Sequence, residues 1–214
     1  MTLREKEILS LIRANPMISQ QEIARLLGIT RSSVAVHISN LIKKGYVKGK
    51  GYVLNEENYV TVIGGANVDI QGFSLDKLKL NDSNPGKVKV SAGGVGRNIA
   101  ENLSRLGIKT KLITAVGDDL YGEKISNECR IAGIDIDHCL VLKSMPSSTY
   151  LSVLDENGDM KVAISDMDTI DYLNIDFLKT KSLIIENSSA IVIDTNLSLE
   201  VIEYLLSNFK HKIF

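Results

Sequence analysis

The sequence has little of what a secreted, membrane-spanning or metal-binding protein needs. It holds only two cysteines, Cys129 and Cys139, too few for a disulfide scaffold, and they read as buried thiols of a reducing compartment rather than as a pair. Its three histidines, His37, His138 and His211, are scattered. None has a partner at metal-ligand spacing, so they read as structural or surface residues and no metal site is expected. No stretch approaches the ~20 apolar residues that span a bilayer. The first ten residues are charged and lack the apolar segment of a secretory leader. Repeats and low-complexity tracts are missing as well. The expectation is a cytoplasmic protein with no membrane partner.

What is present is an ordinary globular composition, 44% apolar and 24% charged over 214 residues, enough for one large or two small domains. The net charge of −1 hides an asymmetry. Residues 1–54 carry nine Lys/Arg against three Glu, net +6, and the remainder carries 16 basic against 23 acidic residues, net −7. A basic module on an acidic body places any contact with a polyanion in the first part.

Helical periodicity fills the first 45 residues. Thr2 with Glu5, and Ser19 with Glu22, have capping-box spacing. Ile8, Leu9, Leu11 and Ile12 give the first helix an apolar face, Ile23, Ala24 and Leu27 the second, and Val34, Ile38, Leu41 and Ile42 the third, which Thr30 caps. Gly28 and Gly45 stand where helices stop. Tyr46 to Val53 alternates around Gly-Lys-Gly as a small hairpin, and 55–58 is a polar linker. From Tyr59 onward strands and helices alternate. Strands are expected at Tyr59–Gly64, Val88–Ser91, Lys111–Val116, Tyr150–Leu154, Met160–Ile164 and Ala190–Ile193, and helices at Arg97–Leu106, Tyr121–Ala132 and Ser198–Asn208. That order predicts an α/β domain with a mostly parallel sheet over 59–214.

Three helices with a short Gly turn between the last two form the helix-turn-helix pattern. The third would enter the major groove, bringing Thr30, Arg31, Ser32, Ser33 and His37 to the bases, while Lys43, Lys44, Lys48 and Lys50 lie near the phosphates. A small helical docking domain with solvated lysines is the competing reading, and the basic hairpin argues against it. Ser19 to Val34 followed by Leu41 to Val47 resembles the winged helix-turn-helix domains of bacterial transcription regulators, over about residues 2–54. DNA is the partner this implies, and a homodimer is expected on it because half-sites come in pairs.

Two polar features follow in the α/β part. Asn67 and Asp69 sit just past a buried strand, where open α/β sheets place ligand contacts; an amide and a carboxylate can grip vicinal hydroxyls, or simply cap a turn. Ser91 to Asn98 places three glycines before a helix, yet it is neither a P-loop nor a dinucleotide fingerprint. Taken together, Gly64 to Asp69, Ala92 to Gly107 and Val116 to Gly122 resemble, in order and spacing, the ribokinase-like (PfkB) carbohydrate kinases. The resemblance implies that Asn67, Asp69, Gly93, Gly94 and Asn98 contact a sugar. It also implies that Val88–Ser91 and the 150–164 hairpin form a β lid, and that Asn196 lies near the substrate or its phosphate. Gly117-Asp118-Asp119 reads as structural. The fused winged helix, Gly93 to Asn102, and Ile164-Ser165-Asp166-Met167 look like the bacterial pseudouridine and related nucleoside kinases. Asp166 would there touch substrate or cap the next segment.

The family's Gly-Ala-Gly-Asp motif, which carries the general base, does not occur in these 214 residues. ATP and Mg²⁺ are the implied cofactors, and their binding residues too are expected beyond Phe214. The expectation is therefore the substrate half of an ATP-dependent sugar or nucleoside kinase that phosphorylates a hydroxymethyl group, inactive by itself. The alternative is a sugar- or nucleoside-responsive DNA-binding regulator.

Overall fold

A computed structural model describes residues 1–48, 58–209 and 212–214. The chain divides into two compact units, Met1–Glu57 and Asn58–Phe214. Lys50, residues 49–53 of the expected hairpin and linker residues 55–57 lie outside the described residues.

The first unit holds helices α1 (Leu3–Ala14), α2 (Gln20–Leu27) and α3 (Arg31–Lys43). The Thr2–Glu5 capping box closes in both directions: Thr2 Oγ1 accepts from the Glu5 N–H, and the Glu5 carboxylate accepts from the Thr2 N–H. At α2 only half of the expected box forms, since Ser19 accepts from the Glu22 N–H without a return bond. Gly28 ends α2 at φ 64°, in the left-handed region open to glycine. Ile8, Ile12, Ile23, Val34, Ile38 and Leu41 close the core. Ile42, expected inward, is 43% exposed; Leu41 continues the seam from Val34 and Ile38, and Ile42 stands one helical step past it. Glu5 is buried, and Lys44 reaches it at 2.7 Å. The Lys44 ammonium and the Thr2 N–H hold its carboxyl below the usual glutamate range.

The second unit runs β1 (Val60–Ile63), β2 (Asn67–Ser74), β3 (Gly86–Gly93), α4 (Val95–Arg105), β4 (Thr110–Ile113), β5 (Ala115–Gly117) and α5 (Leu120–Ile131). It continues through β6 (Ile134–Asp135), β7 (Leu140–Leu142), β8 (Thr149–Leu154), β9 (Met160–Asp166), α6 (Ile175–Thr180), α7 (Ser182–Asn187), β10 (Ala190–Ile193) and α8 (Leu199–Phe209). The main sheet is parallel throughout, in the order β10-β1-β4-β6. Beyond β10, Ile213 bridges Ile191 in the parallel sense. One apolar cluster, around Val62, Ala100, Leu112 and Ile125, packs α4 and α5 against the sheet. A second, around Ile63, Ile113, Ile185, Ile191 and Leu205, includes residues of α7 and α8.

The short elements β6, β7, α6 and α7 were not expected, and three further differences from the pattern-based expectation bear on the site. The strand expected at Lys111–Val116 breaks at Thr114, because Ala115–Gly117 leave the main sheet to pair with β7. Helix α4 starts at Val95, two residues early, because Gly94 at φ 99° turns the chain straight out of β3. The third difference is β2, a stretch to which the pattern assigned no strand. It is a central strand of the second sheet, β3-β2-β8-β9, and the lid is therefore four strands rather than a strand and a hairpin.

Candidate ligand site of the α/β unit and the recognition helix

The ends of β1 and β10, the start of α4 and the inner face of the lid sheet converge on a cavity of about 450 Å³. It is lined by Asn67, Asp69, Gly94, Asn98 and Asn196 of the expected site, together with Ser148, Tyr150, Ser165, Met167 and Thr169. Gly93 does not line it. Gly93 lies behind Asp69 instead: a Cβ there would meet Asp69 Oδ2 at 2.2 Å. The Asn67 amide donates to Asp69 Oδ1 at 2.7 Å, which fixes the carboxylate and leaves Oδ2 with no partner among the hydrogen bonds described. Lid register brings Tyr150 beside Asp69 and Ser165 beside Tyr150, so all three share one face. Asp166, the residue singled out in the sequence, is exposed and absent from the lining, while its neighbours Ser165 and Met167 supply it.

The residue that organises the site was not foreseen. Asp194, 3% exposed, follows β10 and accepts three backbone N–H bonds: Gly65 at 2.7 Å and Gly96 at 2.9 Å on Oδ2, and Asn196 at 2.7 Å on Oδ1. It ties the turn after β1, the first turn of α4 and the Asn196 loop to one point. The Arg97 N–H is taken by Gly65 O at 3.1 Å. The glycine-rich helix start therefore spends these donors inside the protein instead of on a phosphate. Gly64 and Gly96 are glycines for this reason: a Cβ on Gly64 would sit 2.3 Å from Asp194 Oδ2, and one on Gly96 2.8 Å from the Gly64 backbone.

The Gly117-Asp118-Asp119 turn is structural in geometry. Asp119 caps α5 through the Gly122 N–H at 2.8 Å and accepts from the Ser147 N–H and hydroxyl at 2.9 and 2.6 Å. Those bonds, opposed by partial burial, hold its carboxyl below the usual aspartate range.

The cavity lining contains no lysine or arginine. Among the described residues no group of three His, Cys, Asp or Glu side chains could hold a metal ion. These residues fit a neutral polyol and do not fit a magnesium triphosphate.

In the first unit, Thr30 Oγ1 caps α3 through the Ser33 N–H at 3.1 Å and lies 2.9 Å from both the Ser32 and Ser33 hydroxyls. Arg31, Ser32 and Lys43 are exposed, and Ser33 and His37 half-buried. The His37 Nδ1 is buried without a partner. Lys44 is committed to Glu5, and Lys48 is exposed. A groove of about 780 Å³ beside α2 and the start of α3 carries Arg25, Thr30 and Arg31 on its wall. No helix among the described residues is long and apolar enough to cross a membrane.

Comparison with known proteins gives this geometry a context. Residues 57–212 match the model of the pfkB family carbohydrate kinases. The chain belongs to that family. Residues 1–48 match a winged helix-turn-helix DNA-binding model. An uncharacterized sugar kinase of Escherichia coli (strain K12), YeiI, is 41% identical over 207 residues, covering 97% of this chain and 57% of that protein. The pseudouridine kinase of the same organism is 42% identical over 155 residues, 72% of this chain and 50% of that one. A crystal structure described as a sugar kinase of Clostridium perfringens superposes with a TM-score of 0.68 at 42% identity, over 74% of this chain and 50% of the other. The chain thus spans about half the length of the relatives it matches. The ribokinase-like α/β fold and the winged helix expected from the sequence are both present in the family sense.

Proposed function

We propose that residues 58–214 form the acceptor-binding half of a sugar or nucleoside kinase and hold a ribose-type ligand. The observation that carries this is the convergence of Asn67, Asp69, Asn98 and Asn196 on one uncharged-polyol-sized cavity, roofed by Tyr150 and Ser165. Asp69, braced by Asn67, accepts from ligand hydroxyls. A nucleoside is favoured over a free sugar by the likeness to the pseudouridine kinase and to a guanosine-inosine kinase of Exiguobacterium acetylicum, 33% identical over 149 residues. ATP with Mg²⁺ would supply the phosphoryl group to the ligand's hydroxymethyl. The lining offers no side chain free to act as its base, since Asp69 is committed to orienting the ligand, so residues 1–214 alone bind without turnover. The test is a thermal-shift titration with pseudouridine, guanosine, ribose and fructose. A ligand at 100 times its Kd stabilises the folded state by about 2.7 kcal/mol, or about 5–10 °C for a unit of this size. One nucleoside is expected to give that rise and Asp69→Ala to abolish it; a cooperative melt with no shift for any ligand sinks the reading.

A second activity is favoured by the exposed Arg31 and Ser32 at the start of α3 and by the +6 charge of residues 1–54. DNA binding by the first unit, as a dimer on paired half-sites, would make the protein a ligand-responsive regulator. Affinity is then expected to fall steeply with salt. Arg31→Ala is expected to weaken it by about tenfold without changing the melt, whereas Lys44→Ala, which strands the buried Glu5, lowers the melting temperature first. Electrophoretic shift and calorimetry on both variants separate the two; equal DNA affinity for Arg31→Ala and the parent would remove α3 from the interface.

A further inference from the structure

Arg97 is an unexpected residue to bury beside a sugar cavity. Its side chain is 8% exposed and does not line the cavity. Taking a guanidinium out of water is costly unless partners compensate, and here the compensation is incomplete. Nη1 pairs with Glu101, Nη2 lies 3.8 Å from Glu128, and Nε is buried with no partner. The side chain also hydrogen-bonds the Cys129 thiol, and one further contact is the informative one: Nη1 donates to Asn98 Oδ1 at 3.2 Å. Asn98 lines the cavity.

A guanidinium has donors and no acceptor. Whichever branch of the Asn98 amide faces Arg97 must therefore be the oxygen, and the NH₂ branch is left for the cavity. The anchoring is relayed further. Glu128 also accepts from the Ala92 N–H at 3.2 Å and pairs with Lys124 at 2.7 Å. The frame that holds Arg97 is thus tied to the end of β3, directly before the Gly93-Gly94 turn. Asp69, also in the lining, is acceptor-only when ionised, so the cavity offers groups of opposite hydrogen-bonding sense.

We propose that Arg97 is a positioning residue that locks the Asn98 amide with its NH₂ toward the cavity. The acceptor site then reads its ligand with a donor at Asn98 and an acceptor at Asp69. This rests on the polyol reading of the cavity given above. It explains why a buried arginine stands here: an apolar residue would pack at lower cost but would leave the amide free to rotate and to present either atom. The ligand oxygen at Asn98 must accept, which a ring ether, a carbonyl or a hydroxyl can do and an ammonium group cannot.

The experiment combines binding with side-chain amide spectra of ¹⁵N-labelled chain, the Asn98 NH₂ signals being assigned by their loss in Asn98→Asp. Arg97→Lys keeps a cation between Glu101 and Glu128 but cannot also span to Asn98. It is expected to melt cooperatively, to bind the nucleoside three- to tenfold more weakly, about the worth of one hydrogen bond, and to shift and broaden the Asn98 NH₂ signals of the ligand-free chain. A purely structural arginine would lower the melting temperature and leave both the Kd of the folded chain and those signals unchanged, and that result overturns the proposal. If Arg97→Lys does not fold, Arg97→Met combined with Glu101→Gln removes both charges and carries the same readouts. The ligand-free spectra keep the two readings apart. Parent chain that binds none of the four ligands refutes the polyol site, while Asn98 signals identical in parent and Arg97→Lys refute the positioning role whether or not anything binds.

Discussion

Replacing Asp194 by alanine is expected to cost on the order of 5 kcal/mol, because three backbone N–H groups lose their acceptor together, that of Gly96 buried and those of Gly65 and Asn196 part-buried, and an orphaned donor costs about 1–3 kcal/mol, least where water can reach it. The three belong to Gly65, Gly96 and Asn196, in three separate segments that this one carboxylate ties together. At about 2–4 °C per kcal/mol for a unit of this size, the second unit should melt ~10–20 °C lower in scanning calorimetry. Asp194→Asn sharpens the argument. Its single amide oxygen can serve either the Gly65–Gly96 pair or Asn196, and its NH₂ then faces an N–H on the other side. It should fall between the parent and Asp194→Ala. Alanine within about 2 °C of the parent would mean that the helix start finds other acceptors and that the clamp is not what holds the site.

The clamp also marks the limit of what could be read from the sequence. Asp194 lies 129 residues from Gly65 and 98 from Gly96, and nothing local distinguishes it from any acid after a strand. Helices α1 to α3 were legible because caps and apolar spacing are local, and Asn67, Asp69, Gly94, Asn98 and Asn196 because the order and spacing of the family motifs singled them out. Strand β2 was legible in principle: Val68 and Ile70 alternate with the polar Asn67, Asp69 and Gln71, and Gly72 continues their face opposite Val88 in the pairing. The reading stopped at Asp69 because the polar pair looked like the end of an element. Ser165 and Met167 were missed for a related reason. Asp166 drew attention as the titratable residue, yet β9 alternates, and its register with Tyr150 puts Ser165 on the cavity side. Arg97 was hidden most thoroughly, since periodicity assigns a charge in a helix to the surface, and only tertiary packing shows it 7% exposed.

Gly93 and Gly94 are adjacent and both glycine, yet alanine at each should fail differently. At Gly94 a Cβ would lie 2.6 Å from both Ala66 Cα and Gly65 O, with φ at 99°. Backbone cannot yield there without parting β3 from the turn after β1, and an L side chain is strained at that φ whatever the space. Gly94→Ala is therefore expected to destabilise the unit by more than about 3 kcal/mol, a size that few mechanisms reach, strain at a special backbone conformation among them. At Gly93 the nearest atoms are Asp69 Oδ2 and Cγ, at 2.2 and 2.7 Å. These are the end of a side chain, which can rotate away at small cost. Gly93→Ala should keep most of the melting temperature and lose the ligand, because the group displaced is the carboxylate that receives it. Charged hydrogen bonds contribute about 1.5–3 kcal/mol each, so the Kd for the nucleoside should rise on the order of 100-fold, close to the effect of Asp69→Ala. Calorimetric binding and melting of the two variants settle the distinction. If Gly93→Ala binds as the parent does, Asp69 does not hold the ligand in the orientation seen here, and the hydroxyls must be received by Asn98 and Asn196 instead. Tight binding would then survive Asp69→Ala as well, so the two substitutions must stand or fall together.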